Sequence, residues 1–510
     1  MTVPFFYADP PVMAPSRYSF GPFELDGGAY RLLRDGTPVP LSPKLVEVLI
    51  HLVSNQGALV TKDALFAAVW PDVVVTDNAL TQAISDLRQA LGDSASAPKF
   101  IQTVARRGYR FIAQASPVDE PATVPAIPGR AARETSSLDA FQAFSDGRLK
   151  LESLDAAHLA SAVEDFTRAA TLDARYPAPH VGLANARFYE YELSRARNTP
   201  DRALLAAAVD HARRAIELDR DYAEAHATLS FLLVSAGRAE EALATARHAV
   251  RLDPSNWAHH FRLGHAAWGS ERLAALKTAL DLYSEFAYGH FEIAMVHIAR
   301  GDFDRAEHAL REGVIVQDRQ AGRRERFPAR GLHWLLGLVR LARGDAAEAT
   351  LEFERETVPG GQLYAPEFAM NAFDGLGFTA LLRGDAAAAE KHFRRALELF
   401  PAHARSHVGL AVALADAGNA GEADVERARA RQAMADLARG GRVAEACLTE
   451  AFERVAAGAP EGALDALERL LKVEANLFAG WTIPVEPLLR SVRGHARFDR
   501  VLATVAERAK

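Results

Sequence analysis

The sequence predicts a mainly α protein in two parts, a small N-terminal α+β domain followed by an all-α array of repeats. The first part is indicated by an amphipathic helical segment at 80–91 that precedes two short alternating segments joined by a glycine at 101–111. The second is indicated by recurring glycines from Leu138 onward, where Ala, Leu, Arg and Glu dominate. A stretch rich in Pro, Ala and Thr separates the two parts.

The composition fits several globular units. A chain of 510 residues is too long for one core, and 49% hydrophobic with 25% charged residues is ordinary for soluble domains. The net charge of -7 lies almost entirely outside residues 16–114, which hold ten Lys or Arg and nine Asp or Glu. The array is therefore mildly acidic, and neither part is expected to bind nucleic acid through bulk charge alone.

The helical segment has the properties of a DNA-reading helix. Leu80, Ile84, Leu87 and Leu91 follow at spacings of four, three and four, which places them on one apolar stripe. The rest of the helix carries Gln82, Ser85, Arg88 and Gln89. A helix packed through its stripe can lay its polar face in the major groove, where each base pair presents a distinct hydrogen-bonding pattern.

The two short segments that follow resemble a hairpin with a basic tip. Gly108 supplies the turn, and Arg106, Arg107 and Arg110 supply the charge. Helix and hairpin together predict a recognition helix and a wing that contacts DNA. The alternative for Arg106 and Arg107 is a solvated hairpin tip.

A series of short motifs and single residues occurs in order across residues 18–113. They are Phe23-Glu24-Leu25-Asp26, Asp35-Gly36, Leu41, the helix around Leu45, Leu49 and Leu52, Asn55-Gln56-Gly57, Val60-Thr61, Leu65, Val69-Trp70, Asn78, Leu80, Ile84, Leu87-Arg88, Leu91-Gly92-Asp93, Thr103-Val104 and Arg107-Gly108-Tyr109-Arg110. In this order and spacing they resemble the winged helix-turn-helix effector domain of OmpR/PhoB-type regulators and of the related CadC and ToxR regulators.

The resemblance implies roles for particular residues. It assigns base contacts to Asn78, Gln82 and Ser85, and backbone contacts to Trp70, Arg88 and Thr103, with the wing residues Arg106 and Arg107 inserted in the adjacent minor groove. The chemistry of Gln82 agrees, because a glutamine amide can bond adenine in a bidentate way. Asn78, at the helix start, is suited to cap the helix or to reach a base. For Trp70 the alternative is a plain core aromatic.

One departure from the family pattern lowers the expected nonspecific affinity. Many members carry several basic residues on the recognition helix, whereas this chain has Ser85-Asp86 ahead of Arg88. Specific placement of side chains, and not charge, must then carry DNA binding.

A second resemblance covers the array. One unit contains small residues and a glycine at fixed offsets, and a proline begins the unit that follows. Its characteristic residues are Ala225-His226, Leu229, Gly237, Glu241-Ala242, Ala246, Ala249 and Leu252-Asp253-Pro254. These residues resemble a tetratricopeptide repeat, and similar units recur at Gly301, Gly344 and Gly384. The fold class is thus an N-terminal winged helix-turn-helix domain followed by a tetratricopeptide-repeat superhelix of about eight or nine helix pairs.

The resemblance to these repeats implies a concave face that takes peptides or protein partners. The final stretch, residues 481–502, resembles the tail found after such repeats in bacterial regulators, and we expect it to close the apolar end of the array.

The expected domain boundaries follow from these patterns. We assign residues 1–17 to a disordered tail, 18–114 to the winged helix, 115–137 to a flexible Pro-rich linker and 138–510 to the array with its capping segment. Only about fifteen residues precede the first strand, so that no receiver domain and no phosphorelay control are expected.

The location follows from what the chain lacks and from its single cysteine. No segment reaches the roughly 18 apolar residues of a membrane span, and the start lacks a basic signal region. One cysteine, Cys447, excludes an internal disulfide and fits a reducing compartment. We expect a cytoplasmic protein without a membrane partner.

Other candidate sites are weaker. Arg319, Arg323, Arg324 and Arg326, with Arg330 nearby, lie in a long connector and are suited to an anionic ligand or partner, although a solvated loop balanced by Asp318 and Glu325 is the alternative. His403 and His407 are four residues apart on a predicted helix but lack a third metal ligand. No catalytic motif occurs, so neither an enzyme nor a cofactor or metal is expected.

Two function classes remain open. The first is a sequence-specific transcription regulator that binds double-stranded DNA, with possible dimerisation on its site, contact with RNA polymerase, and an array that binds a protein, peptide or other signal. The second is a scaffold or adaptor whose winged helix contacts protein.

Overall fold

The computed structural model describes residues 17–26, 31–34, 37–39, 41, 43–69, 77–94, 97–104, 107–117, 135, 137–153, 155–196, 199–320, 330–357, 365–473 and 478–510. The chain divides into two compact units, one within residues 8–127 and the other built mainly from residues 128–510.

The described residues of the N-terminal unit form two small antiparallel sheets and three helices. Its elements are β1 Arg17–Phe20, β2 Phe23–Asp26, β3 Arg31–Arg34, β4 Thr37–Val39, α1 Pro43–Ser54, β5 Val60–Thr61, α2 Lys62–Val69, α3 Asp77–Leu91, β6 Ile101–Val104, β7 Gly108–Phe111 and β8 Ser116–Pro117. The first sheet has the order β4-β3-β2-β1-β8 and the second the order β5-β7-β6.

One apolar core holds these elements together. The predicted stripe of α3 is buried, with Leu80, Ile84, Leu87 and Leu91 at most 3% exposed, and α3 packs against α1 and α2. Aromatic rings join the sheets, since the ring centroids of Phe20 and Phe111 lie 5.1 Å apart. The core therefore fixes α3 through one face and leaves the opposite face free.

Both ends of this unit differ from the boundaries expected from the sequence. Residue 115 was assigned to the linker, but Ala115 is buried, and its main-chain N–H and C=O both bond the side-chain amide of Gln56 at 2.8 and 2.9 Å. Ser116 and Pro117 then pair with β1, which itself begins at Arg17, a residue assigned to the tail. Hydrogen bonding to β1 thus extends the domain beyond the composition change.

The described part of the second unit contains nine antiparallel helix pairs. In chain order they are Leu138–Glu152 with Leu159–Leu172, Ala178–Ala196 with Arg202–Leu218, Ala223–Ser235 with Ala239–Leu252, Trp257–Ala266 with Gly269–Leu282, Ala287–Ala299 with Phe303–Gln320, Leu332–Arg343 with Ala346–Glu356, Ala365–Leu382 with Ala386–Leu399, Ala404–Asp416 with Ala420–Arg439, and Val443–Ala456 with Pro460–Val473. This agrees with the predicted eight or nine pairs.

Small residues allow the helices to approach closely, as predicted. The Phe393 ring, on the second helix of the seventh pair, lies between Gly377 and Gly409, where an added Cβ would come within 2.6 and 2.3 Å of ring atoms. Glycines with positive φ separate the two helices of a pair at the predicted positions 237, 301, 344 and 384, and also at 418.

The segment after the last pair, residues 478–510, does more than close an end. It contains the 3₁₀ turns Ile483–Val485 and Pro487–Val492 and the helix Ala496–Arg508, and that helix packs on Pro460–Val473. The two turns, however, pack against the first helices of the fifth, sixth and ninth pairs. The expected end cap is thus only part of its role, and we call residues 478–510 the inner segment.

Apolar burial explains this path. Trp481, Ile483, Val485, Leu489 and Val492 join the largest core cluster of the array, and all but Trp481 are at most 2% exposed. None of the helices in the described ranges is both long enough and apolar enough to cross a bilayer.

Candidate nucleic-acid interface

The face of α3 opposite the core is polar and exposed. Gln82 and Ser85 lie three residues apart and therefore share one face of the helix. Both side chains are exposed, so this face points away from the buried stripe. The Gln82 side-chain amide donates to the Asp86 carboxylate one turn later, at 2.8 Å. The backbone of Asn78 belongs to the first turn of α3, but its side chain lies outside the described residues.

Arg88 joins this helix to the wing. Its Nη2 donates both to the Ile101 carbonyl and to the Thr103 hydroxyl, each at 2.8 Å. The family resemblance implied separate contacts of Arg88 and Thr103 with the DNA backbone, whereas the structure joins these two residues in one hydrogen-bonded link. Because the link spans α3 and β6, it fixes the orientation of the wing relative to the reading face.

Asp93 organises the turn between α3 and β6. Its carboxylate accepts four main-chain N–H bonds, from Ser94 at 2.9 Å, Lys99 at 2.6 Å, Phe100 at 3.2 Å and Ile101 at 2.8 Å. Partial burial alone would raise the pKa of Asp93, but these four donors outweigh it and lower the pKa below its ordinary value. From the sequence, Asp93 was recognised only as part of a motif. Its position just after a helix-ending glycine was the available signal.

The wing is a hairpin of β6 and β7, with Ile101 opposite Phe111 and Val104 opposite Gly108. The Arg107 N–H donates to the Val104 carbonyl at 3.0 Å and closes the turn, while the Arg107 side chain is exposed. Arg107 thus places a cation at the tip of the hairpin.

Gly108 lets β7 approach β5 closely. Its φ is +149°, and a Cβ there would lie 2.0 Å from the Val60 carbonyl oxygen and 2.9 Å from the Thr61 Cα. No side chain fits such a gap, so glycine is required for the junction that anchors the wing.

Several predicted site residues are not covered by these observations. Trp70 and Arg106 lie outside the described residues, as do Arg323, Arg324 and Arg326 of the connector. Arg319 is described at the end of the helix Phe303–Gln320, where it is exposed. The connector cluster therefore stays a prediction.

The two histidines of the array have separate partners. His403 Nδ1 lies 2.7 Å from the Ser406 hydroxyl, whereas His407 Nδ1 lies 2.6 Å from a Glu426 carboxylate oxygen. Each imidazole is thus held within its own hydrogen-bonding group. Among the residues with described side chains, no three metal-ligating groups come together.

Comparison with known families assigns both units. Residues 36–111 match the family described as transcriptional regulatory protein, C terminal, and residues 223–256 match a tetratricopeptide repeat. The first range contains α3 and the wing, and the second contains the unit singled out by its glycine, alanine and proline spacing.

Individual relatives agree for the N-terminal unit. The chain is 34% identical over 83 residues to the transcriptional activator CadC of Escherichia coli strain K12, an alignment that covers 16% of each chain. It is 40% identical over 67 residues to the cholera toxin homolog transcriptional activator of Vibrio parahaemolyticus, covering 13% of this chain and 23% of the relative. The chain thus covers less than a quarter of either activator.

A solved structure, the RstA DNA-binding domain of Klebsiella pneumoniae in complex with RstA box, is also similar. It is 32% identical, covers 19% of this chain and 96% of that chain, and gives a TM-score of 0.18.

The fold class predicted from the sequence is confirmed by the family matches and the element order. The N-terminal unit is a winged helix-turn-helix domain of the OmpR/PhoB type, and the second unit contains tetratricopeptide repeats.

Proposed function

We propose that this protein is a sequence-specific, DNA-binding transcription regulator in which α3 reads base edges in the major groove and the wing contacts the neighbouring backbone or minor groove. The observation that carries the proposal is the exposed polar face of α3, held in a fixed relation to the wing by Arg88 and Thr103. A helix and a wing oriented as one body can engage two adjacent grooves at once.

Individual residues then take distinct roles. Gln82 and Ser85 read bases, together with Asn78, and Arg107 contributes charge at the wing tip, together with Arg106. Trp70 is assigned to the backbone by resemblance. Arg88 and Thr103 act first as positioning residues, because the described hydrogen bonds of the Arg88 guanidinium are both made to β6 of the wing. Any phosphate contact by Arg88 must use the remaining guanidinium N–H groups.

The proposal extends to partners and location. A regulator of this type acts in the cytoplasm, where it meets the chromosome, and dimerisation would match paired half-sites on DNA. The function requires binding and no catalysis. RNA polymerase and other proteins remain proposed partners of the exposed surfaces. The scaffold alternative is weaker, because the inner segment packs against first helices of the array, the usual docking face of such repeats.

Changing Gln82 to alanine is expected to relax base preference at one operator position. The loss there should be about 1 to 3 kcal/mol, the contribution of one bidentate amide–base pair, while nonspecific affinity changes little. Fluorescence anisotropy with operator variants and random duplex measures both. Gln142→Ala is the matched control, because Gln142 makes the same type of exposed bond to Asp146, at 2.9 Å, in the repeat unit. An equal loss on operator and random DNA would contradict base reading by Gln82.

Changing Arg106 and Arg107 together to alanine is expected to weaken binding to all DNA sequences. Each lost phosphate contact should flatten the log-log dependence of affinity on salt by roughly one unit. The control is the double change of Arg213 and Arg214, an adjacent arginine pair in the array. An unchanged salt slope would leave the wing without its proposed electrostatic role.

A further inference from the structure

The inner segment lies along first helices of the array. The Arg405 guanidinium, on the first helix of the eighth pair, lies 2.8 Å from the Glu486 carboxylate of this segment. The Phe478 ring lies beside that of Trp268, between the two helices of the fourth pair, with centroids 5.8 Å apart and ring planes inclined by 51°. A protein or peptide partner docking there would have to expel a segment that contributes several buried side chains to the core.

The second pair also meets the far part of the array. Arg195 lies 3.2 Å from Glu367 of the seventh pair, and Arg202 donates to the Gly440 carbonyl at 2.9 Å, just after the eighth pair. Four pairs lie between the partners of the first contact along the chain. These contacts and the inner segment bound a cavity of about 450 Å³. Its volume is within the usual range for small-molecule sites.

The cavity lining has two kinds of surface. Large rings provide an apolar wall, among them Tyr191, Trp334, Phe452 and Trp481. Charges occur as opposite pairs: Arg195 with Glu192 at 2.8 Å, Arg405 with Glu486, and Arg442 with Glu445 at 2.6 Å. The described lining also contains Arg202 and Glu367, so that it holds four arginines and four glutamates in all. Because these charges balance, the site suits neither a polyanion nor a polycation. It suits a zwitterion, a molecule with one positive group, one negative group and no net charge.

Glu486 favours such a ligand. Its carboxylate is 1% exposed, and burial raises its pKa even though Arg405 is close. One guanidinium therefore compensates this buried carboxylate incompletely, and an ammonium group placed nearby would add to the compensation.

We propose that this cavity binds a small zwitterion of the amino-acid class with a large apolar side chain. The ring wall takes the side chain, the glutamates face the ammonium group and the arginines face the carboxylate. That such a molecule is the signal rests on the proposed regulator function. Binding itself is measured without DNA, so either proposal can fail while the other stands.

The test is isothermal titration and thermal unfolding of the full-length protein with L-phenylalanine, L-tryptophan, L-leucine and L-methionine. At least one is expected to bind with one site per chain and to raise Tm by about 3 °C at 100 times its Kd. The analogues 3-phenylpropionate and phenethylamine, which each lack one charge, are expected to bind at least about tenfold more weakly than phenylalanine.

Two variants locate the site. Ala444 and Ala402 line the cavity, and phenylalanine at either position is expected to abolish binding. Ala387→Phe is the control, because Ala387 is exposed and, like Ala444, is the second residue of its helix. A Tm of the unliganded variants near wild type establishes that they fold, and Ala402, an exposed turn residue, provides the test if Ala444→Phe does not fold. The proposal is overturned if none of the four amino acids binds, if either analogue binds as well as its parent, or if folded Ala444→Phe and Ala402→Phe bind normally.

Discussion

Replacing Gly108 by alanine is expected to abolish DNA binding by the full-length protein and to destabilise the N-terminal unit by about 3 kcal/mol. The added Cβ would lie 2.0 Å from the Val60 carbonyl oxygen. Since this contact is with main chain, the clash cannot be relieved by a side-chain rotation. Relief requires β7 to move away from β5, which displaces the wing from its position beside α3.

Hydrogen exchange and DNA anisotropy measure this effect together. Peptides covering β5 and β7 should lose protection, and affinity for operator and random DNA should fall together. Gly57→Ala is the matched control, because Gly57 also has positive φ, at +78°, but an added Cβ there meets nothing within 4 Å. That change should destabilise by only about 1 kcal/mol. Wild-type DNA affinity in Gly108→Ala would show that the β5–β7 junction does not hold the wing.

Replacing Asp93 by alanine is expected to destabilise the N-terminal unit by about 2 kcal/mol and to weaken DNA binding. Four main-chain N–H groups lose their acceptor, and water can replace only some of those bonds. The turn that leads from α3 into β6 then loosens, so that the reading face and the wing no longer move as one body. The loss of stability is measured by unfolding the full-length chain in denaturant while hydrogen exchange monitors the N-terminal unit.

The pH dependence of stability shows whether the negative charge of Asp93, and not only its size and shape, stabilises the turn. Because the folded state lowers the pKa of Asp93, its contribution to stability is complete above the ordinary pKa and is lost as pH falls through the lowered folded value. The stability difference between wild type and Asp93→Ala should therefore shrink as the pH falls from about 5 through the lowered folded pKa. Asp86→Ala, which removes a carboxylate bonded to the Gln82 amide, serves as control. A difference that stays constant over this range would exclude the charged carboxylate as the source.

Local patterns in the sequence were sufficient for much of the fold. The spacing of Leu80, Ile84, Leu87 and Leu91 predicted the buried face of α3, because helical periodicity determines which side chains share a face. The recurring glycines predicted the turns within repeats for a similarly local reason, since few other residues adopt positive φ there.

Long-range contacts were not predictable from those patterns. The bond from Arg88 to Thr103 joins residues whose types also suit phosphate binding, and only the register of β6 brings them together. The path of the inner segment depends on the curvature of many stacked pairs, so that the contact of Glu486 with Arg405 has no local signal. The strand at Ser116–Pro117 was not predicted, because its composition is typical of a linker and it forms only by pairing with the distant strand β1.

Selection from a random duplex library by the full-length protein, followed by sequencing, tests sequence-specific DNA binding most directly. We predict that the wild-type protein enriches one motif. The base preference at one position of this motif should relax in Gln82→Ala and persist in Gln142→Ala. Gly108→Ala should enrich no motif. A folded wild-type protein that enriches no motif, or a motif that Gln82→Ala leaves unchanged at every position, would contradict base reading by α3.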